Sequence, residues 1–137
     1  MSVAAGRKCV EMVAEICQQL GYGVYVPEKE TCGPWDMKVN GERVQVKLRG
    51  VCTQQPNRIR LKTYMGSGTV AYRMEDVDAF VIRWSDRWYV VPSHFIATRG
   101  GDIMNAVYMP SIAGWIDKWC LFEGERVAYE QQKSFDF

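Results

Sequence analysis

The stretch PWDMKVNGERVQVKLRG, residues 34–50, decides how the chain is read. At its centre Asn40-Gly41 is a dipeptide favoured by type I′ hairpin turns, and strand-like runs flank it. A two-residue turn there fixes the register, with Val39 opposite Glu42, Lys38 opposite Arg43, Met37 opposite Val44 and Asp36 opposite Gln45. Alternation along the strands puts Trp35, Met37, Val39, Val44, Val46 and Leu48 on one face, with Glu42 at the turn. Asp36, Lys38, Arg43, Gln45, Lys47 and Arg49 fall on the other. A slip of one residue would invert both faces, so a core on the apolar side holds the register.

Outward from this hairpin the pattern is that of an α/β chain. Residues 5–20 predict a helix, because Val10, Val13, Cys17 and Leu20, with Ile16 beside them, recur at three- and four-residue steps. Gly21 stands where a helix C-terminus favours glycine, and Glu11 and Glu15 share the polar flank one turn apart. YGVYVP at 22–27 reads as a short strand that Pro27 ends. RIRLKT at 58–63 alternates Arg58, Arg60 and Lys62 with Ile59 and Leu61. MGSGT at 65–69 reads as a loop. DAFVIRW at 78–84 has the continuous apolar run of a strand buried on both faces, and RWYVVP at 87–92 is its hairpin partner across Ser85-Asp86. Pro92-Ser93 opens a short helix through Ile96, and SIAGWIDKW at 111–119 predicts a last helix.

A length of 137 residues with 47% apolar and 24% charged residues fits a single globular domain, 1–137, with no repeat or linker. No apolar run approaches the roughly 18 residues of a membrane span, and the N-terminus lacks a signal-peptide core. A cytoplasmic protein with no membrane partner is expected. The five cysteines (Cys9, Cys17, Cys32, Cys52 and Cys120) form no C-x-x-C pair, and the one histidine is His94. That argues against a structural zinc site and for reduced thiols packed as small hydrophobes.

The net charge of +1 conceals an asymmetry. Between Arg43 and Met74 lie Arg43, Lys47, Arg49, Arg58, Arg60, Lys62 and Arg73, and no acid. Such a segment suits a polyanion, or a sheet edge guarded by cations. Opposed residues of a hairpin have Cβ atoms about 5 Å apart, so Asp36 and Gln45 could share one divalent cation. Lys47 on the same face could stabilise charge developing on a phosphate. A polar sheet face with no task would carry the same residues.

In order along the chain stand an acid-bearing helix ending in Gly21-Tyr22, a Val26-Pro27 pair, Trp35-Asp36, the hairpin and Gln45-Val46-Lys47. Tyr72, VDAFVI from Val77 to Ile82, and WYVVPS from Trp88 to Ser93 follow. Together, over roughly residues 6–97, they resemble the PD-(D/E)XK nuclease superfamily, in particular its small intron-encoded homing endonucleases and related bacterial proteins. The resemblance implies a restriction-endonuclease-like α/β core, a mixed central sheet flanked by helices, with 98–137 as a C-terminal extension. It implies Asp36 as principal metal ligand, Gln45 where most members carry Glu or Asp, Lys47 as catalytic lysine, and Glu11, or alternatively Glu15, completing the site around Mg²⁺ or Mn²⁺. The function implied is a metal-dependent DNA endonuclease hydrolysing backbone phosphodiester bonds. Double-stranded or branched DNA would be held by Arg43, Arg49, Arg58, Arg60, Lys62 and Arg73, and the enzyme would work as a homodimer or homotetramer. A Holliday-junction-type resolvase is the near variant. A nuclease fold that binds nucleic acid without cutting is the alternative if neither Glu11 nor Glu15 serves the site. A partner-binding module using Trp84, Trp88, Trp115 and Trp119 is a third reading.

Overall fold

The N-terminal apolar stripe forms α1 (Val3–Gln19) and buries Cys9, Val10, Val13, Ala14 and Cys17. The computed structural model describes residues 3–28, 34–48, 51–52, 55–61, 64–65 and 70–123. Gly21, at φ +87°, closes α1: its N–H donates to the Gln18 carbonyl at 3.0 Å, and the Tyr22 N–H to that of Cys17 at 3.0 Å. These two bonds make a Schellman cap. Leu20, expected in the stripe, lies past the last helical residue and is 49% exposed.

The strands follow as β1 (Val24–Tyr25), β2 (Met37–Val39), β3 (Glu42–Leu48), β4 (Val51–Cys52), β5 (Gln55–Arg60), β6 (Tyr64–Met65), β7 (Val70–Ala71), β8 (Ala79–Trp84), β9 (Arg87–Pro92) and β10 (Ala106–Tyr108). The run expected over 22–27 thus yields only a two-residue strand. A five-stranded sheet runs β1-β2-β3-β8-β9, with β3 and β8 parallel and every other pair antiparallel. Parallel neighbours need a crossover, and β4 to β7 lie along it. The β2–β3 turn has Asn40 and Gly41 at φ 50° and 83°, and the register is Met37–Val44, Lys38–Arg43 and Val39–Glu42. Ser85 and Asp86, at φ 52° and 59°, turn β8 into β9 the same way.

One face of this sheet packs Met37, Val39, Val44, Val46, Ala79, Val81 and Val90 against α1. The other packs Phe80, Ile82, Tyr89 and Val91 against Ile59 and Leu61 and against Val107 of β10. A second sheet, ordered β10-β5-β4, covers that face. In β8, Ala79 to Ile82 are all fully buried, which is why that run carries no polar alternation. The architecture is mixed α/β.

The C-terminal part differs from expectation. Instead of one helix over 111–119 there are 3-10 helices at Met109–Trp115 and Trp119–Glu123, after an earlier one at Ser93–Ile96. Ile112 leaves helical geometry at φ −112°, and Asp117 adopts φ 54°. Backbone pairing explains the break: Ile116 bridges Tyr89, and the Asp117 N–H donates to the Trp88 carbonyl at 2.8 Å. A continuous α-helix would consume those groups. Phe122 is buried against the α1 side, and its carbonyl accepts from Asn40 Nδ2 at 3.0 Å. The described part of the extension is therefore woven into the core. Among the described residues no helix is long and apolar enough to cross a membrane. Cys9 and Cys17 are free buried thiols and Cys120 a free exposed one, and burial pushes the Cys17 thiol up to about 12. The side chains of Cys32 and Cys52, and most of the loop expected at 65–69, fall outside the described residues.

Candidate metal and nucleic-acid site

Asp36 sits one residue before β2, where that strand leaves β3. Its backbone N–H donates to the Val44 carbonyl at 2.8 Å, and its Oδ2 accepts the Val46 N–H at 2.8 Å. The strand ladder ends at Met37–Val44, so the Asp36 carboxylate takes up an edge N–H of β3 that β2 leaves behind. This fixes the carboxylate beside the strand segment that carries Gln45 and Lys47.

Gln45 and Lys47 are both half-buried, and their neighbours on β8 are Phe80 and Ile82, core residues of the second cluster. The polar pair therefore continues an apolar wall. Gln45 Oε1 is buried and has no hydrogen-bond partner among the described residues. Leaving such an acceptor unmet costs about 1–3 kcal/mol, and few positions in a native fold tolerate it without a ligand or water. Lys38, which shares this face by register, holds its ammonium 5.1 Å from the Trp35 ring centroid.

The helix acids are engaged elsewhere. Glu11 is 66% exposed and pairs with Arg7 at 3.8 Å, and Glu15 accepts a long 3.5 Å bond from Gln19. The α1 side chain with Asp36 in its electrostatic surroundings is Cys9. Its thiol is pushed up by burial first, pulled back by Arg83, and raised further by Asp36. At about 100° per residue, Glu11 lies some 200° round the helix from Cys9. Among the described residues no three His, Cys, Asp or Glu side chains come together as a metal cluster. Among the described residues the side-chain oxygens on this strand segment are those of Asp36 and Gln45.

Among the described residues of the basic segment, Arg43 and Arg73 are paired with carboxylates within the fold. Arg43 makes a two-pronged contact with Asp78, Nε to Oδ2 at 3.1 Å and Nη2 to Oδ1 at 3.2 Å, and its own N–H also donates to Asp78 Oδ2 at 2.8 Å. Arg73 binds Glu75 at 2.7 Å, Asp102 at 3.0 Å and the Gly100 carbonyl at 2.8 Å. Arg43 ties β3 to the residue before β8, and Arg73 ties the loop after β7 to the loop before β10, each with its charge balanced on the spot. Arg58 and Arg60 stand exposed on β5, and Lys47 is at the site itself. Arg49 and Lys62 lie outside the described residues. Sequence alone could not separate these groups, since the acids that claim Arg43 and Arg73 come from beyond the acid-free segment.

The Arg43–Asp78 contact has a pH signature. Partial burial pushes the Asp78 carboxyl up, but hydrogen bonds from the Arg43 side chain and backbone and its charge outweigh this, and the net shift is downward. A carboxyl depressed in the folded state contributes stability above its unfolded value of about 3.9, and loses it as pH falls through the folded value. Asp78→Asn should therefore lower the urea midpoint near neutral pH, by a fraction of a kcal/mol because the pair is half-exposed. The loss should shrink below about pH 3. An equal loss at every pH would show that charge plays no part.

No known protein family and no curated protein sequence matches the chain. Among solved structures, the bacterial homing endonuclease I-Ssp6803I shares the fold at a TM-score of 0.71 and 18% identity, over 95% of this chain and 99% of that one.

Proposed function

We propose that the chain is a divalent-metal-dependent DNA endonuclease of the PD-(D/E)XK type, with Asp36, Gln45 and Lys47 at its centre. One observation carries the reading: the buried Oε1 of Gln45, which has no hydrogen-bond partner among the described residues, lies on the strand segment that the Asp36 carboxylate caps. The fold shared with a homing endonuclease supports it.

Asp36 and Gln45 would hold Mg²⁺ or Mn²⁺ through oxygen, and two protein oxygens suit an ion that keeps several waters and completes its shell with substrate phosphate. When bound, the ion supplies Lewis-acid polarisation of the phosphate and a more acidic water. Lys47 sets a positive charge against the scissile phosphate, and the apolar wall of Phe80 and Ile82 strengthens that interaction by excluding water. The Asp36 carboxylate accepts the Val46 N–H, which fixes it against β3. Arg58 and Arg60 draw in the polyanion. One such site cuts one strand, so double-strand cleavage calls for a symmetric homodimer or homotetramer.

Glu11, turned to Arg7, favours a second reading in which the fold binds DNA without hydrolysis. One assay separates them. Purified protein is incubated with supercoiled plasmid, and separately with a four-way junction, in Mg²⁺ and in chelator. Nicked or linear plasmid in Mg²⁺ and none in chelator supports the endonuclease. Cleavage of the junction alone points to a resolvase, and retarded but intact DNA in Mg²⁺ overturns the hydrolytic reading.

A further inference from the structure

The outward face of the β5–β10 pair sets its two arginines in a fixed register. The antiparallel register sets Arg58 opposite Tyr108, Ile59 opposite Val107 and Arg60 opposite Ala106. Ile59 and Val107 are buried against the central sheet, so the pair is anchored from beneath and Arg58, Arg60, Ala106 and Tyr108 point away from the core. Tyr108 is 45% exposed, and the Arg58 guanidinium lies 5.6 Å from its ring centroid. Across β10, Arg60 faces the methyl group of Ala106. Among the described residues neither arginine meets a carboxylate, unlike Arg7, Arg43 and Arg73. β10 is the edge strand of its sheet, so this face can be approached from that side.

We propose that the outward face of the β10-β5-β4 sheet lies over the major groove of duplex DNA, with Arg58 and Arg60 reaching base edges and each recognising a guanine. The inference rests on the proposed function for its partner, and adds to it the part of the chain that selects a sequence. The sheet is held flat on the core, and arginine side chains are long enough to reach from it into a groove about 12 Å wide, where each pairs with guanine O6 and N7 through two parallel bonds. Residues two apart on a strand stand about 6.7 Å apart on one face, twice the 3.4 Å step between base pairs. Arg58 and Arg60 therefore address positions separated by one base pair. Contact with the Tyr108 ring restrains Arg58, which reduces the freedom lost on binding.

The test is selection from a library of duplexes with a randomised core, in chelator, with the full chain and with Arg58→Ala, Arg60→Ala and Arg60→Lys. Melting temperatures confirm that each variant folds. The parent should enrich guanine at two positions one base pair apart. Arg58→Ala should erase one preference and Arg60→Ala the other, each by about tenfold or more. Arg60→Lys keeps the charge but not the two-pronged geometry, and should lose the same preference as Arg60→Ala. Unchanged enrichment in the variants overturns the proposal, as does a parent that binds duplexes without preference. A uniform loss of affinity with the preference intact also overturns it and makes the two arginines phosphate contacts. In each of these cases plasmid cleavage would still stand. A parent that neither binds nor cuts DNA overturns the proposed function as well.

Discussion

Asp36→Asn is expected to lower DNA cleavage by at least about 100-fold while leaving the melting temperature nearly unchanged, a loss comparable to removing one preorganised charge-stabilising group. The substitution is chosen for its geometry. The Asp36 Oδ2 accepts the Val46 N–H at 2.8 Å, and an asparagine Oδ1 can accept the same bond. The strand edge stays satisfied and only the negative charge is removed. Asp36→Ala is a harsher change, since it leaves that N–H without its partner and costs about 1–3 kcal/mol, several degrees in melting temperature for a domain of this size. Comparing the two separates chemistry from folding: both should fail to nick plasmid, and only the alanine variant should melt early. An Asp36→Asn protein as active as the parent would remove Asp36 from the centre.

Gln45 carries the second large effect, and its variants should move metal affinity and stability in different directions. Gln45→Glu adds a full negative charge next to Asp36, and ligand charge tunes affinity for hard cations. The Mn²⁺ concentration for half-saturation should fall about tenfold, whereas Gln45→Ala should raise it by about the same factor. Without metal the order changes. Close carboxylates repel and raise each other's pKa, so Gln45→Glu should melt earlier at neutral pH and recover as the pH falls and one of the pair is protonated. Gln45→Ala removes the unmet buried carbonyl, which offsets the packing it loses, so its melting temperature should stay close to the parent's. Calorimetric titration and thermal melts of the three proteins provide the check. Equal metal binding by all three would exclude Gln45 as a ligand.

The hairpin was legible because Asn40-Gly41 leaves the backbone a small choice of turns and because its apolar face has a core to bury. β8 was legible for the opposite reason, an unbroken apolar run that only a strand covered on both sides accommodates. The 111–119 segment was misread because its local spacing resembles a helix, while its backbone is claimed by the edge of β9, a long-range competitor that spacing cannot reveal. At the site, alternation placed Gln45 and Lys47 on one face. It could not show that β2 departs at Asp36 and that the carboxylate replaces it along β3. Nor could it show that Glu11 pairs with Arg7 on the helix surface. The partners of Arg43 and Arg73 were invisible for a similar reason: Asp78 and Asp102 lie 35 and 29 residues downstream. The pairing of Arg58 with Tyr108 spans a comparable gap, and only the register of β5 with β10 brings them together.

The most direct measurement of the central claim is anomalous difference density from Mn²⁺ in crystals of the protein grown with a short duplex. The account predicts one strong peak within coordination distance, about 2.1 Å, of both an Asp36 carboxylate oxygen and Gln45 Oε1, with Lys47 turned toward the nearest phosphate. A peak held by other residues, or no peak between Asp36 and Gln45 at saturating Mn²⁺, would contradict it.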